Sequence, residues 1–387
     1  MKNIIKGIII FLLLPGVVFS IEWIPDRTKT EAETELGWLV APMPVNVEGI
    51  GFTVPIAGVF SNFYKTTDLL LVAPFIKGDI ESKLLSIYKL PLYQDSLFFT
   101  FNYYELLTGF RNYDRGIDSE ENDYYQTLEK TDSTTFRLQT QLWDQRFEFQ
   151  LGYSYGKSDI QKIYDADGNY FSNIQSPERN WIDNIIGTQI DLTDNHFDPH
   201  QGFRLGLLHS STNYGPELLS DYAVNDLNAS FYFPFFKNDT LLFNYFQSQS
   251  VVTSSGTIDQ TILGQKLGLG CDLENKQKLC ETAENRRLQY WLERNKQGKA
   301  SALGGLNRLR AYSYNRFFAK NSVNYTLEYR LNFSEKTTPI NWIFLGGVKT
   351  VLQTAFFYEA GGVSDDISKL NQNLRPLLWT RISGNYI

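Results

Sequence analysis

Polar and apolar residues alternate with a period of two along most of this chain. In residues 147–155 every odd position is apolar or aromatic and every even one is polar or Gly. Residues 323–333 alternate throughout. Residues 136–142 place Arg137, Gln139 and Gln141 on one face, and residues 227–233 set Asn228 and Ser230 opposite an apolar set. Successive side chains of a strand point to opposite faces, so each stretch has one apolar, aromatic-rich face and one strongly polar face. Strands of soluble sandwiches run ~5–6 residues. Here the alternation runs ~9–12 residues, the length of a tilted strand crossing a bilayer. Tyr153, Tyr155, Tyr329 and Phe333 fall near strand ends, where interfacial girdles lie. The pattern predicts an all-β fold, a transmembrane antiparallel β-barrel.

Connections between the strands come in two sizes. Short ones are predicted at 93–96, 143–146 and 236–239, and long ones at 110–133, 158–179 and 252–321. Outer-membrane barrels alternate short periplasmic turns with long extracellular loops. About 14 candidate strands can be placed by their alternation. Pro55, Pro74 and Pro91 blur those between residues 45 and 92. In the last long connection Leu288 and Leu292 lie i,i+4 around Tyr290 and Trp291, which predicts a short helix over 281–294. Such a helix either packs on the barrel mouth or contacts a partner.

Composition sharpens this picture. Aromatic residues make up 15% of the chain, yet mean hydropathy is -0.29. A helical membrane protein would be far more apolar, because each span needs ~20 apolar residues in a row. In a barrel the lipid-facing and lumen-facing residues cancel. The net charge of -7 supplies no basic stripe for nucleic acid.

Lys2 and Lys6, the apolar run 8–18 and Val18-Phe19-Ser20 read as a secretory signal over residues 1–20. Residues 21–45 are then expected as a short periplasmic segment without a folded domain, and 46–387 as the barrel. Export meets an oxidising periplasm, so Cys271 and Cys280 are expected to close a disulfide within the outer loop. With three His in the chain and none near these cysteines, zinc is not expected.

Two motifs stand out. In the first, Asp191, Asp194, Asp198, Pro199 and Gly202 join two strands. Asp side chains hydrogen-bond turn backbone, Pro fixes φ, and Gly allows a tight re-entry. His196 and His200 lie four apart, but Pro199 argues against the helix a metal pair would need. The second motif is Gly304-Gly305-Leu306-Asn307-Arg308-Leu309-Arg310-Ala311-Tyr312. In residues 323–333 the alternation puts Glu328 on the polar face, and Glu359 falls in the next predicted strand.

In their order and spacing, these motifs resemble the barrel domain of the BamA/TamA superfamily, the bacterial surface antigens, over about residues 46–365. The Asp…Asp-Pro-x-x-Gly turn resembles the superfamily's hallmark turn. Leu309-Arg310-Ala311-Tyr312 resembles the tip of its long loop, with Ala311 in place of the usual Gly, where a positive φ would be strained. The resemblance implies that this loop folds into the lumen and that Arg310 pairs with Glu328 and Glu359, the latter in place of a family Asp. Residues 21–45 are far too short for a polypeptide-transport-associated (POTRA) domain. After Gly362 the family pattern of 16 strands continues for about three more, whereas 363–387 holds room for one. Fewer strands closing the barrel, strands supplied by a partner, and a truncated chain all stay open.

The resemblance implies a role in inserting or translocating proteins or lipids at the bacterial outer membrane. The implied partners are outer-membrane lipids, unfolded outer-membrane protein clients or a second barrel. A surface-exposed structural antigen or adhesin without a transport role, or a non-functional truncated barrel, are the alternatives. An enzyme is not expected. A nucleophile needs a nearby base, two of the three His sit in the turn, and His209 has no evident triad. No cofactor is implied.

Overall fold

The computed structural model describes residues 24–27, 36–42, 45–47, 51–54, 56–61, 70–73, 82–94, 96–168, 170–171, 179–196, 198–215, 218–236, 239–269, 278–305, 307–372 and 374–384. The signal stretch 1–20, Cys271 and Leu306 therefore lie outside the described residues. The strands, in chain order, are β1 (Gly37–Pro42), β2 (Val45–Val47), β3 (Gly51–Thr53), β4 (Ile56–Ser61), β5 (Leu70–Ala73) and β6 (Ser82–Tyr93). They continue with β7 (Leu97–Tyr113), β8 (Tyr124–Leu142), β9 (Phe147–Tyr164), β10 (Tyr170–Phe171), β11 (Arg179–Thr193) and β12 (Gly202–Asn213). The last are β13 (Asp221–Pro234), β14 (Asp239–Ser254), β15 (Asn321–Trp342), β16 (Leu345–Ser364) and β17 (Arg375–Gly384). Two α-helices, α1 (Gln260–Leu267) and α2 (Lys278–Gln297), are found among the described residues, both between β14 and β15.

One antiparallel sheet runs β1-β4-β5-β6-β7-β8-β9-β11-β12-β13-β14-β15-β16-β17, a path of fourteen strands among the described residues, with β10 beside β9. Strands β2 and β3 form a separate pair. The outward face of the long strands is apolar and open. Phe136, Leu138, Leu151, Tyr153, Tyr155, Ile186, Leu207, Leu327, Phe356 and Tyr358 are all exposed. Soluble monomers rarely show a contiguous apolar patch beyond a few hundred Å². A band of this extent calls for lipid as its solvent.

The strands are longer than the ~9–12 residues expected of a bilayer span; β8 has 19 and β9 has 18. The reason lies on the outer face above the apolar band. On β9 the band spans 147–155, and Lys157 follows, paired with Asp132 at 3.4 Å. Beside it Lys83 and Lys130 hold Glu105 at 2.7 and 2.9 Å. Alternation therefore marks the lipid-embedded part only. Above the charges the strands continue, and there Tyr125 of β8 and Ile160 and Ile163 of β9 are buried against Leu269 and Ala283 of the long loop. The connection expected at 110–133 is accordingly short, because β7 runs to Tyr113 and β8 begins at Tyr124.

Residues 37–42, placed by the sequence in the segment ahead of the barrel, form β1 and pair with β4 over six residues. β1 also touches the far end of the β15–β16 hairpin, at Trp38↔Gly346 and Leu39↔Leu345. Thirteen strands, every pairing antiparallel, lie on the route from β1 to β16 among the described residues. Up-down alternation cannot close on an odd number, so this contact is not a regular barrel seam. It is made by a hairpin whose register shifts between Asn332/Ser334, Lys336/Ile340 and Ile340/Trp342. Such bulges bend and twist a strand pair.

Candidate functional site

The register defines the lumen wall. Asp183 and Ile185 of β11 line the same cavity as Ser210 and Thr212 of β12 and Tyr222 and Asp226 of β13. Following cross-strand partners from there, Asp191 and Arg204 face inward, as do Thr326, Glu328 and Arg330 on β15 and Phe357, Glu359 and Gly361 on β16.

The loop between β14 and β15 folds against this wall. Its tip turns at Gly304 and Gly305, both at positive φ, where an added Cβ would meet Ser313 O at 2.2 Å and the Tyr314 ring at 2.7 Å. Two backbone bonds tie the turn, from Gly304 N–H to Arg308 O and from Gly305 N–H to Tyr312 O. Leu303 and Leu309 are buried with Phe317, Ala319, Ile117 and Val363, and Tyr312 packs on that cluster. Gly361 makes the close approach possible, since a Cβ there would fall 2.8 Å from Leu303 and 2.9 Å from Leu309. Ala311 is not among the residues at positive φ; Leu309 is, at 47°. The strain expected at Ala311 sits instead at Leu309. A strained backbone costs about 1–3 kcal/mol, and full burial of a Leu offsets it by about 1.5–3 kcal/mol.

With Leu309 fixed, Arg310 reaches both carboxylates. Its Nη1 lies 2.9 Å from Glu328 and its Nε 3.1 Å from Glu359. Its backbone N–H donates to the second Glu359 oxygen at 2.7 Å. The guanidinium stacks on Phe357, 3.5 Å from the ring centroid, and Thr326 donates its hydroxyl proton to Glu359. Glu359 is fully buried and Glu328 nearly so. A guanidinium shared between two carboxylates is a strong, charge-assisted arrangement.

The turn motif is a second centre. Asp194 accepts from the backbone N–H of His200 and Gln201 at 2.9 and 3.0 Å, closing the turn. Gly202 has φ 111°, and a Cβ there would strike Leu192 O. Pro199 lies in this irregular turn, not in a helix. Asp191, 1% exposed in its side chain, accepts from Arg204 at 2.8 Å, contacts His196 Nδ1 at 2.9 Å, and lies 3.3 Å from Arg27. His196 and His200 do not converge: His200 Nε2 faces Asn332 at 3.1 Å.

The two motifs are joined by a residue the alternation placed on the right face but to which no role was given. Arg330 Nε lies 2.7 Å from Glu328, and its Nη1 lies 3.8 Å from Asp198 in the turn. A chain of charges thus runs from the loop tip, Arg310, through Glu328 and Arg330 to Asp198. Its alternation with Glu328, two positions apart on one face, was the available signal. Nothing local signalled Arg27, which lies in the segment expected to stand free of the barrel.

Above the network, α1 and α2 cover the end of the barrel that carries the long loops. Trp291 and Leu292 pack with Leu263, Leu267 and Leu219. Arg294 stacks between Tyr214 and Tyr222 and bonds both hydroxyls. Arg286 holds Asp123 at 2.8 Å. Burial pushes the Tyr290 phenol up, but the charges of Lys299, Arg294 and Arg179 outweigh it and bring it to about 8. Cys280 is disulfide-bonded, whereas Cys271 lies outside the described residues. Under the helix a cavity of about 440 Å³ is lined by Asp183, Asp226, Tyr290, Arg294 and Lys299.

No family profile matches the chain, and no curated protein does. Among solved structures it is similar to BamA from Haemophilus ducreyi lacking POTRA domains 1-3, at 13% identity and a TM-score of 0.44, over 85% of this chain and 57% of that one. It is similar to CdiB from Escherichia coli at 11% identity and 0.46, over 86% and 53%. LpxR from Salmonella typhimurium matches at 9% identity and 0.30, over 79% and 88%. The chain spans little more than half the length of the first two.

Proposed function

We propose that this chain is an outer-membrane barrel of the BamA/TamA type that assists the insertion or translocation of other proteins or lipids, without covalent catalysis. The observation that carries the reading is Arg310 held between Glu328 and Glu359. That contact pins a long loop inside the lumen, as the sequence resemblance implies for the superfamily. A diffusion pore needs a water-filled channel; here folded segments occupy the lumen. The work then falls to the wall and its edges, where lipid and extended chains meet the strands. Lipids of the outer membrane and unfolded barrel clients are the partners that fit. Depleting the protein in its own host and quantifying outer-membrane proteins tests the role. A fall in several barrels ahead of any growth defect supports it. Unchanged levels, with the chain displayed at the surface, would favour the structural antigen instead.

A further inference from the structure

Arg310 of the loop tip and Arg27 ahead of the first strand are held in opposite ways. At the loop tip one guanidinium, Arg310, has two carboxylates, and none of its nitrogens is a buried orphan. At the periplasmic rim the ratio reverses. Arg27 and Arg204 share the one carboxylate of Asp191, and Arg146 spends its Nη2 on the Pro25 carbonyl at 2.7 Å. Four guanidinium nitrogens there are buried with no partner: Nε and Nη1 of Arg27, Nη1 of Arg146 and Nε of Arg204. Buried donors left unmade are costly, and like charges add to that cost.

Asp191 does not need Arg27. Without it the carboxylate keeps Arg204, His196, the Thr193 hydroxyl and the Thr193 N–H. Departure of residues 24–27 would return both orphaned nitrogens of Arg27 to water and leave Asp191 satisfied. We propose that residues 24–27 are a releasable latch, docked in cis on Asp191 and Arg146 at the periplasmic end of the lumen, while the extracellular loop stays fixed. Docked, Pro25 is buried and Arg27 is 6% exposed in its side chain; Ile24 and Asp26 face outward. The latch does not depend on what the barrel inserts.

The full chain in nanodiscs tests this, with a spin label at Asp26→Cys, an exposed position, in a background where Cys271 and Cys280 are both replaced by Ser. The expected spectrum has an immobile docked component and a mobile one in exchange. Arg27→Ala should raise the mobile fraction at least threefold, with heat-modifiable migration unchanged. Arg27→Lys, a cation without the fork, should fall between the two. A single immobile component in wild type and Arg27→Ala alike would overturn the latch. A variant that fails to migrate as a folded barrel would show that Arg27 is a structural anchor, which also overturns it.

Discussion

Arg310 is where the loop's position is decided. It is 14% exposed in its side chain, and its partners Glu328 and Glu359 are 7% and 0%. Breaking such a pair by removing one member costs about 3–5 kcal/mol, because the remaining charges stay buried. Arg310→Ala should therefore lower the stability of the folded barrel by about 3 kcal/mol, read from urea unfolding in lipid. Double-mutant cycles with Glu328→Gln and Glu359→Gln should each give a coupling of about 1–3 kcal/mol. Additivity within ~0.5 kcal/mol for both pairs would mean the contact does not operate in solution. Tyr290 gives a second test. An acid whose pKa is lowered in the fold contributes stability above its unfolded value, and loses it as pH falls through the folded one. With about 8 in the fold and an ordinary phenol near 10, stability should rise between those values. Absorbance at 295 nm should show one tyrosine ionising near pH 8, absent in Tyr290→Phe. A titration with every tyrosine above 9.5 would refute the arrangement of Lys299, Arg294 and Arg179 around it.

At the scale of the elements, the apolar band is narrower than the strands. Leu151 sits midway along the band on β9, and Lys157 lies beyond its upper edge. Arginine on the lipid face costs about 2–4 kcal/mol at the bilayer midplane and about 0–1 near an interface. Leu151→Arg should cost within the first range and Lys157→Arg essentially nothing, measured by unfolding from vesicles. Equal costs at both positions would place the bilayer elsewhere. This boundary also explains what the sequence disclosed. Residues 147–155 read plainly as a strand because lipid demands an apolar residue at every second position. The continuation of β9 to Tyr164 did not, because there Ile160 and Ile163 are buried against Tyr125, Leu269 and Ala283, contacts that no period of two announces. β1 escaped notice for another reason: Trp38-Leu39-Val40-Ala41 is apolar on both faces, and its fold depends on β4 and on the β16 hairpin end. The loop tip could be read from its resemblance, Glu328 from alternation, and Cys280 from export. Arg27 could not, since its partner lies 164 residues away and no periodic pattern surrounds it.

In the whole molecule the loop tip and the turn between β11 and β12 are one electrostatic unit. Arg310 touches Glu328, Glu328 touches Arg330, and Arg330 approaches Asp198. Glu328 is the pivot, since it faces both arginines and its carboxyl is 7% exposed in the side chain. Removing Arg310 leaves Glu328 to Arg330 alone, which should draw Arg330 toward Glu328 and away from the longer, weaker contact with Asp198. Residues that share a network show interaction energies, whereas distant independent sites add within about 0.3–0.5 kcal/mol. Arg310→Ala and Asp198→Asn, at opposite ends, should therefore be non-additive by more than ~0.5 kcal/mol. The same cycle repeated in an Arg330→Met background, which keeps the bulk of the side chain but cuts the link, should become additive. Coupling that survives Arg330→Met would mean that the two ends communicate through the backbone of β15 and not through the charges. No coupling in either background would mean that the loop tip and the turn are separate devices sharing a wall.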